Sequence, residues 1–210
     1  MRDPYLYEDC HVLRNKLGIK DSALLDLAEV EITCKAIYDI SVSFVEGEYD
    51  FVHLCKLHAC IFGSIYDWAG MPRTVSMEKE EAMLGYMSIE YAKPKNIEKE
   101  ATSILNQMNE IDWGILSTDE QAIKLANGLA ELWKVHPFRE GNTRTIITFI
   151  CQFAESKGLL LDRALFEQNA AYMRNALVAA TAIFADGDFR KPEYLYRIIK
   201  DSLERGQNMY

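Results

Sequence analysis

Apolar residues recur three or four apart through most of this chain, and that spacing limits the fold more than any other feature. In "DSALLDLAEVEITCKAIYDI", residues 21–40, they fall at 24, 27, 30, 34 and 37, one face of a helix, with Asp21 or Ser22 as its cap. Asp50 caps a second helix, "FVHLCKLHACIF", with Leu54, Leu57 and Ile61 on one side. The period returns over "KNIEKEATSILNQMNEI", over "STDEQAIKLANGLAELWKV" with Ser117 or Thr118 as cap, and over "TRTIITFICQFAESK" up to Gly158. "DRALFEQNAAYMRNALVAATAIFA" and "KPEYLYRIIKDSLERG" complete the set. No internal repeat, low-complexity linker or strand–helix alternation interrupts it. An all-α fold follows, as a single domain over 1–210. The one break is Gly-Met-Pro at 70–72, after which Arg73 to Met77 is extended and residues 76–88 read as a hairpin-like flap. A small β element is therefore expected near 73–87.

A chain of 210 residues, 49% apolar, fills one core and does not have the composition of a disordered protein. Its formal net charge of −9 makes nucleic acid and anionic membrane poor partners, although a local basic patch still suits one phosphate group. The five cysteines are odd in number and irregularly spaced, which fits a reducing compartment. The N-terminus lacks the apolar run of a signal peptide and no stretch is long enough to span a membrane, so a cytoplasmic location is expected. Cys55, His58 and Cys60 in "CKLHAC" form the one cluster with metal-ligand chemistry. On a helix the two cysteines point about 140° apart, so buried small residues are the expected reading.

The chemistry concentrates in "HPFREGNTRT", residues 136–145. Pro137 disfavours helix in the residue before it, so His136 stands on a constrained corner where an imidazole suits removal of a hydroxyl proton. Glu140 offers a hard oxygen of the kind Mg²⁺ takes when phosphates share it. Gly141 can turn backbone N–H groups into an anion nest, and Asn142, Thr143 and Arg144 open a helix whose N-terminus favours a phosphate. Arg144 adds a permanently charged donor. Phe138 anchors the loop to the core. Residue by residue, the same stretch also reads as an ordinary turn that starts a helix, and the residues alone leave both readings open.

The stretch "HPFREGNTR" resembles the Fic-domain signature His-x-Phe-x-(Asp/Glu)-Gly-Asn-Gly-Arg. "GEYDFVHLCKLHACIFGSIYDWAGMPR", residues 47–73, is similar to the helix and "WAG-x-x-R" segment that precede the flap in that family, and "DPYLYEDCHVLRNKLGIKD" is similar to its N-terminal segment. The matched stretches run from about residue 3 to 162, with a core over 47–162. The resemblance implies an all-helical fold and transfer of AMP from ATP to a hydroxyl of a target protein, automodification included. It implies His136 as general base, Glu140 as the Mg²⁺ ligand, Gly141, Asn142 and Arg144 around the phosphates, with Thr143 among them, and Phe138 packing the loop. By the same resemblance the flap, with Ser76, Met77, Leu84 and Gly85, aligns a target strand by backbone pairing. A protein substrate and, as in many relatives, a small inhibitory partner protein are implied. A homo-oligomer is left open.

Two positions depart from the family pattern. Thr143 replaces the second glycine, and Ile147 stands one turn after Arg144 where a second arginine is usual. That arginine anchors an inhibitory glutamate in the family, and no (Ser/Thr)-x-x-x-Glu-(Gly/Asn) pattern occurs in these 210 residues. The expectation is an enzyme without that switch. Arg174 is a candidate to replace the lost charge, and Asn169 and Tyr172 are candidates for the nucleoside pocket. The plainer reading of Arg174 is a solvated arginine on an amphipathic helix. The run Glu78, Lys79, Glu80, Glu81 reads as a solvated tip, and His53 and His58 as structural. Two further functions are weighed beside AMP transfer: Doc-like phosphotransfer or use of another nucleotide, and a catalytically weak nucleotide-binding module.

Overall fold

The computed structural model describes residues 3–184 and 187–208. Within them lie eight α-helices: α1 (Ser22–Val42), α2 (Phe51–Phe62), α3 (Ile97–Asn109), α4 (Thr118–Val135), α5 (Asn142–Ser156), α6 (Arg163–Gln168), α7 (Ala170–Thr181) and α8 (Glu193–Gln207). The expected caps hold them. Asp21 and Asp50 accept from the N–H groups of Leu24 and His53, each at 2.8 Å, and Ser117 forms a reciprocal capping box with Glu120. Helix α4 is the hub, packed by α3, α5, α7 and α8, while α2 lies on α5. Trp133, Phe138, Phe149, Phe153, Leu54 and Leu57 are fully buried between them. The site grows from the end of α4 and the start of α5, two of the best-packed elements.

The flap is present. Strands β1 (Glu80–Glu81) and β2 (Met87–Ser88) pair antiparallel across a short 3-10 turn, in the register Glu80↔Ser88 and Glu81↔Met87. Gly85 at φ 63 and Tyr86 at φ 67 make the reversal.

Three local expectations are corrected. The apolar face of α1 was expected inward, yet Leu24, Leu27 and Val30 are exposed and the helix buries Leu25, Glu29, Thr33 and Ile40. Its inner face meets Tyr66 and Arg144, and those partners select polar side chains. The single helix expected over 162–185 is broken at Asn169 (φ −119, ψ 33), whose side-chain amide donates to the Leu165 carbonyl at 2.8 Å. It also ends early, at Thr181, where a second hairpin of β3 (Ile183–Phe184) and β4 (Gly187–Asp188) begins; residue 185 lies outside the described residues.

Candidate active site

Helix α4 cannot pass Pro137, and His136 closes it in the left-handed conformation at φ 51, ψ 60. That geometry costs a non-glycine residue about 1–2 kcal/mol, so something must impose it. Arg73 does. Its buried guanidinium donates to the carbonyls of His136 (2.8 Å), Val75 (2.6 Å) and Ala92 (2.5 Å), and its own N–H reaches the Pro137 carbonyl at 2.8 Å. One side chain thus ties both ends of the flap to the corner.

The His136 ring is 1% exposed, lies 4.0 Å from the ring of Tyr91 in a stacked arrangement, and has no hydrogen-bond partner on either nitrogen. Burial, then the cations of Lys79 and Arg73, push its pKa well below 6.5. The imidazole is neutral at physiological pH and holds a free lone pair.

The loop that follows is braced from inside. Phe138 is fully buried and stacks 3.8 Å from His58. Asn142 accepts from the Phe138 N–H at 2.8 Å and donates to its carbonyl at 2.7 Å. The Asn142 amide, expected among the phosphate ligands, thus also clamps the loop, and the residue borders the cavity described below. His58 accepts from the Gly70 N–H at 2.7 Å through Nδ1, which makes Nε2 the donor to the Glu140 carbonyl at 3.1 Å. Burial pushes the His58 pKa down to about 4. With both nitrogens engaged, and Cys60 exposed on another face, the Cys55–His58–Cys60 cluster makes no metal site. Gly141 precedes α5 at φ 80, and a Cβ there would fall 2.2 Å from the Phe62 ring. Only glycine fits.

Beyond Gly141, the first N–H groups of α5 have no acceptor within the helix. This helix start borders a cavity of about 210 Å³ lined by His136, Glu140, Gly141, Asn142, Thr143 and Arg144, joined by Lys79 of the flap and by Ala170 and Arg174 of α7. The motif residues are thus brought together, and Arg174 joins them. Asn169 and Tyr172 do not border this cavity; the Tyr172 hydroxyl donates to the Tyr194 carbonyl at 3.1 Å. Thr143 spends its hydroxyl as acceptor for the Trp133 indole at 2.9 Å. Ile147 does not border this cavity; it lines a neighbouring, mostly apolar one with Ile37, Cys151 and Phe166, which shares Thr143, Arg144 and Ala170 with the first.

Sequence reasoning missed three acids and cations here. The extended stretch before the hairpin alternates, so Met77, Lys79 and Glu81 point inward while Ser76, Glu78 and Glu80 are exposed. The charged run is no solvated tip: Lys79 Nζ sits 3.2 Å from Glu140 Oε2, and buried Glu81 pairs with Arg174 at 2.6 Å. A period-two pattern across 75–81 was the signal available. Of the flap residues, Met77 and Leu84 pack against the core, and Ser76 and Gly85 are exposed. The third omission is Glu29 of α1, which pairs with Arg144 and accepts from the Tyr66 hydroxyl at 2.5 Å. Thr33 accepts from Arg144 at 2.8 Å.

Glu140 fits a divalent cation. Burial alone would raise its pKa, but the Lys79 ammonium, the Gly141 N–H and Arg144 outweigh it and keep the carboxylate ionised. Oε1 is held by the Gly141 N–H at 2.9 Å, and Oε2 already attracts a cation. Among the described residues no group of three or more His, Cys, Asp or Glu could form an all-protein cage. One carboxylate plus substrate phosphates is the manner in which Mg²⁺ is commonly bound.

Helical scaffold, braced loop and open helix start together define a Fic domain. The chain belongs to the Fic/DOC family, whose model matches residues 48–154. It is 33% identical over 161 residues to the protein adenylyltransferase VbhT of Bartonella schoenbuchensis, a match covering 76% of this chain but 32% of that protein. It is 32% identical over 173 residues to the probable protein adenylyltransferase y4lH of Sinorhizobium fredii, covering 80% and 83%. Such relatives are by name nucleotidyltransferases. In three dimensions it matches the BepC effector of Bartonella tribocorum, crystallised with AMPPNP, at a TM-score of 0.78 and 23% identity, covering 94% of this chain and 95% of that one. No helix among the described residues is long and apolar enough to cross a membrane.

Proposed function

We propose that the chain transfers AMP from ATP to a Ser, Thr or Tyr hydroxyl of a target protein. The observation that carries this is His136: a neutral, unpartnered base held in a strained conformation at the mouth of an anion-binding helix start. In this reading the target oxygen attacks the α-phosphorus, its proton passes to His136, and the bond to pyrophosphate breaks. Arg144, Arg174 and the N–H groups of α5 steady the phosphate oxygens as charge builds on them. Glu140 would hold Mg²⁺, which would supply positive charge to the nucleotide's phosphates. The names of the relatives, and the AMPPNP bound to BepC, support ATP as the donor.

The flap presents the target, with Ser76 and Gly85 on its outer surface and Met77 and Leu84 seating it. The chain acts without the family's glutamate switch, because Ile147 offers no guanidinium for such a glutamate to hold.

Intact-mass spectrometry after incubation with ATP and Mg²⁺, beside His136→Ala, tests the reading. One added AMP on the wild type or on a co-incubated target, absent in the variant, supports it. A gain of one phosphoryl group instead would replace AMP transfer with phosphotransfer.

A further inference from the structure

Three cations border the phosphate cavity, and each is paired with a carboxylate, but the pairs are not equivalent. Arg144 is held by Glu29, which is 7% exposed and further bound by Tyr66. Arg174 is held by Glu81, 6% exposed on the flap. Neither Glu29 nor Glu81 borders the cavity. Lys79 differs: its partner Glu140 does border the cavity, and the atom it contacts, Oε2, is the oxygen a metal would take. Two cations cannot share that oxygen at close range without strong repulsion.

We infer that Lys79 is a positioning residue for the terminal phosphates: Glu140 holds it until a divalent cation takes Oε2, and the released ammonium then binds the β- and γ-phosphate oxygens. This rests on the reading of the cavity as a metal–nucleotide site. Helix α5 supplies no further cation after Arg144, since residues 145–156 contain no lysine or arginine. The flap, by its period of two, brings one in from outside the motif. The lysine is suited to the exchange, because its ammonium is a compact point charge on a flexible four-carbon stem with rotatable donors. The backbone N–H of Lys79 bonds Ser88 Oγ at 2.9 Å, so a change of side chain leaves the hairpin its anchor.

The test uses opposite signs. Mn²⁺ binding to the nucleotide-free protein is followed by electron paramagnetic resonance, and AMPPNP and AMP binding by calorimetry in Mg²⁺. Lys79→Met is expected to bind Mn²⁺ several-fold more tightly, because a competing cation is gone. The same variant should bind AMPPNP roughly tenfold more weakly, the worth of one charge-assisted contact, with AMP unchanged. Lys79→Arg should recover most of the AMPPNP affinity. If wild type and Lys79→Met bind Mn²⁺ and AMPPNP alike, the role of Lys79 is refuted while the site stands. If wild type binds neither probe, or Glu140→Ala leaves Mn²⁺ binding intact, the reading of the site falls and the role of Lys79 with it.

Discussion

The indole N–H of Trp133, in the last turn of α4, donates to the hydroxyl of Thr143, in the first turn of α5, at 2.9 Å. Trp133 is fully buried, so this is the bond that satisfies its one polar atom. The threonine that departs from the family signature therefore laces together the two helices that frame the site. Thr143→Gly should cost about 2 kcal/mol, from the orphaned indole N–H and the added backbone freedom. Thr143→Ser should cost much less. Urea denaturation of the two variants separates them; equal losses would mean that the hydroxyl contributes nothing.

The neutral state of His136 sets the acid side of the pH–rate profile. A base works only unprotonated, and burial with the nearby cations places its pKa well below 6.5. Activity, measured as kcat/KM, should persist as pH falls past 6.5 and fail only lower, well under the limb of an unperturbed histidine. His136→Ala should lower the rate by about 10²–10⁴ with nucleotide affinity kept.

His58 makes stability depend on acidity. Its folded pKa of about 4 lies below its ordinary 6.5, so between those values the unfolded chain takes up a proton that the folded chain refuses. Stability is fully present above pH 6.5 and is lost as pH falls toward 4, by about 3 kcal/mol for this group. Denaturation midpoints measured from pH 7 to 4 should drop, and drop less in His58→Gln, which retains an acceptor and a donor. An equal slope in both would assign the acid sensitivity elsewhere.

Glu29 fastens α1 to the rest of the domain by an ion pair with Arg144 and a bond from Tyr66. Glu29→Ala leaves the buried Tyr66 phenol without its acceptor and Arg144 with Thr33 but no carboxylate, and should cost about 3 kcal/mol. Glu29→Gln, which can still accept from Tyr66, should lose less. Hydrogen exchange should show the loosening concentrated in α1. Uniform exchange across the domain would argue against that local role.

Much of this architecture was legible in the chain itself. Helical period, caps at Asp21, Asp50 and Ser117, the stop at Pro137 and the glycine at 141 are local signals, because backbone sterics and hydrogen bonding act within a few residues. The cluster from His136 to Arg144 was legible for the same reason: the loop and helix start that assemble it are contiguous. What lay beyond reach were contacts between segments far apart. Periodicity showed that α1 is a helix, but only packing decided that Glu29 and Thr33, rather than Leu24 and Leu27, turn inward to meet Arg144. The charged run at 78–81 reads as solvent-facing until the flap is folded back by Arg73, which carries Lys79 to Glu140 and Glu81 to Arg174. The sequence alone determined which residues start and stop the helices and where the reactive loop lies. Tertiary structure decided which charges meet, since a carboxylate finds its cation only once the packing of the core has set the distance between them.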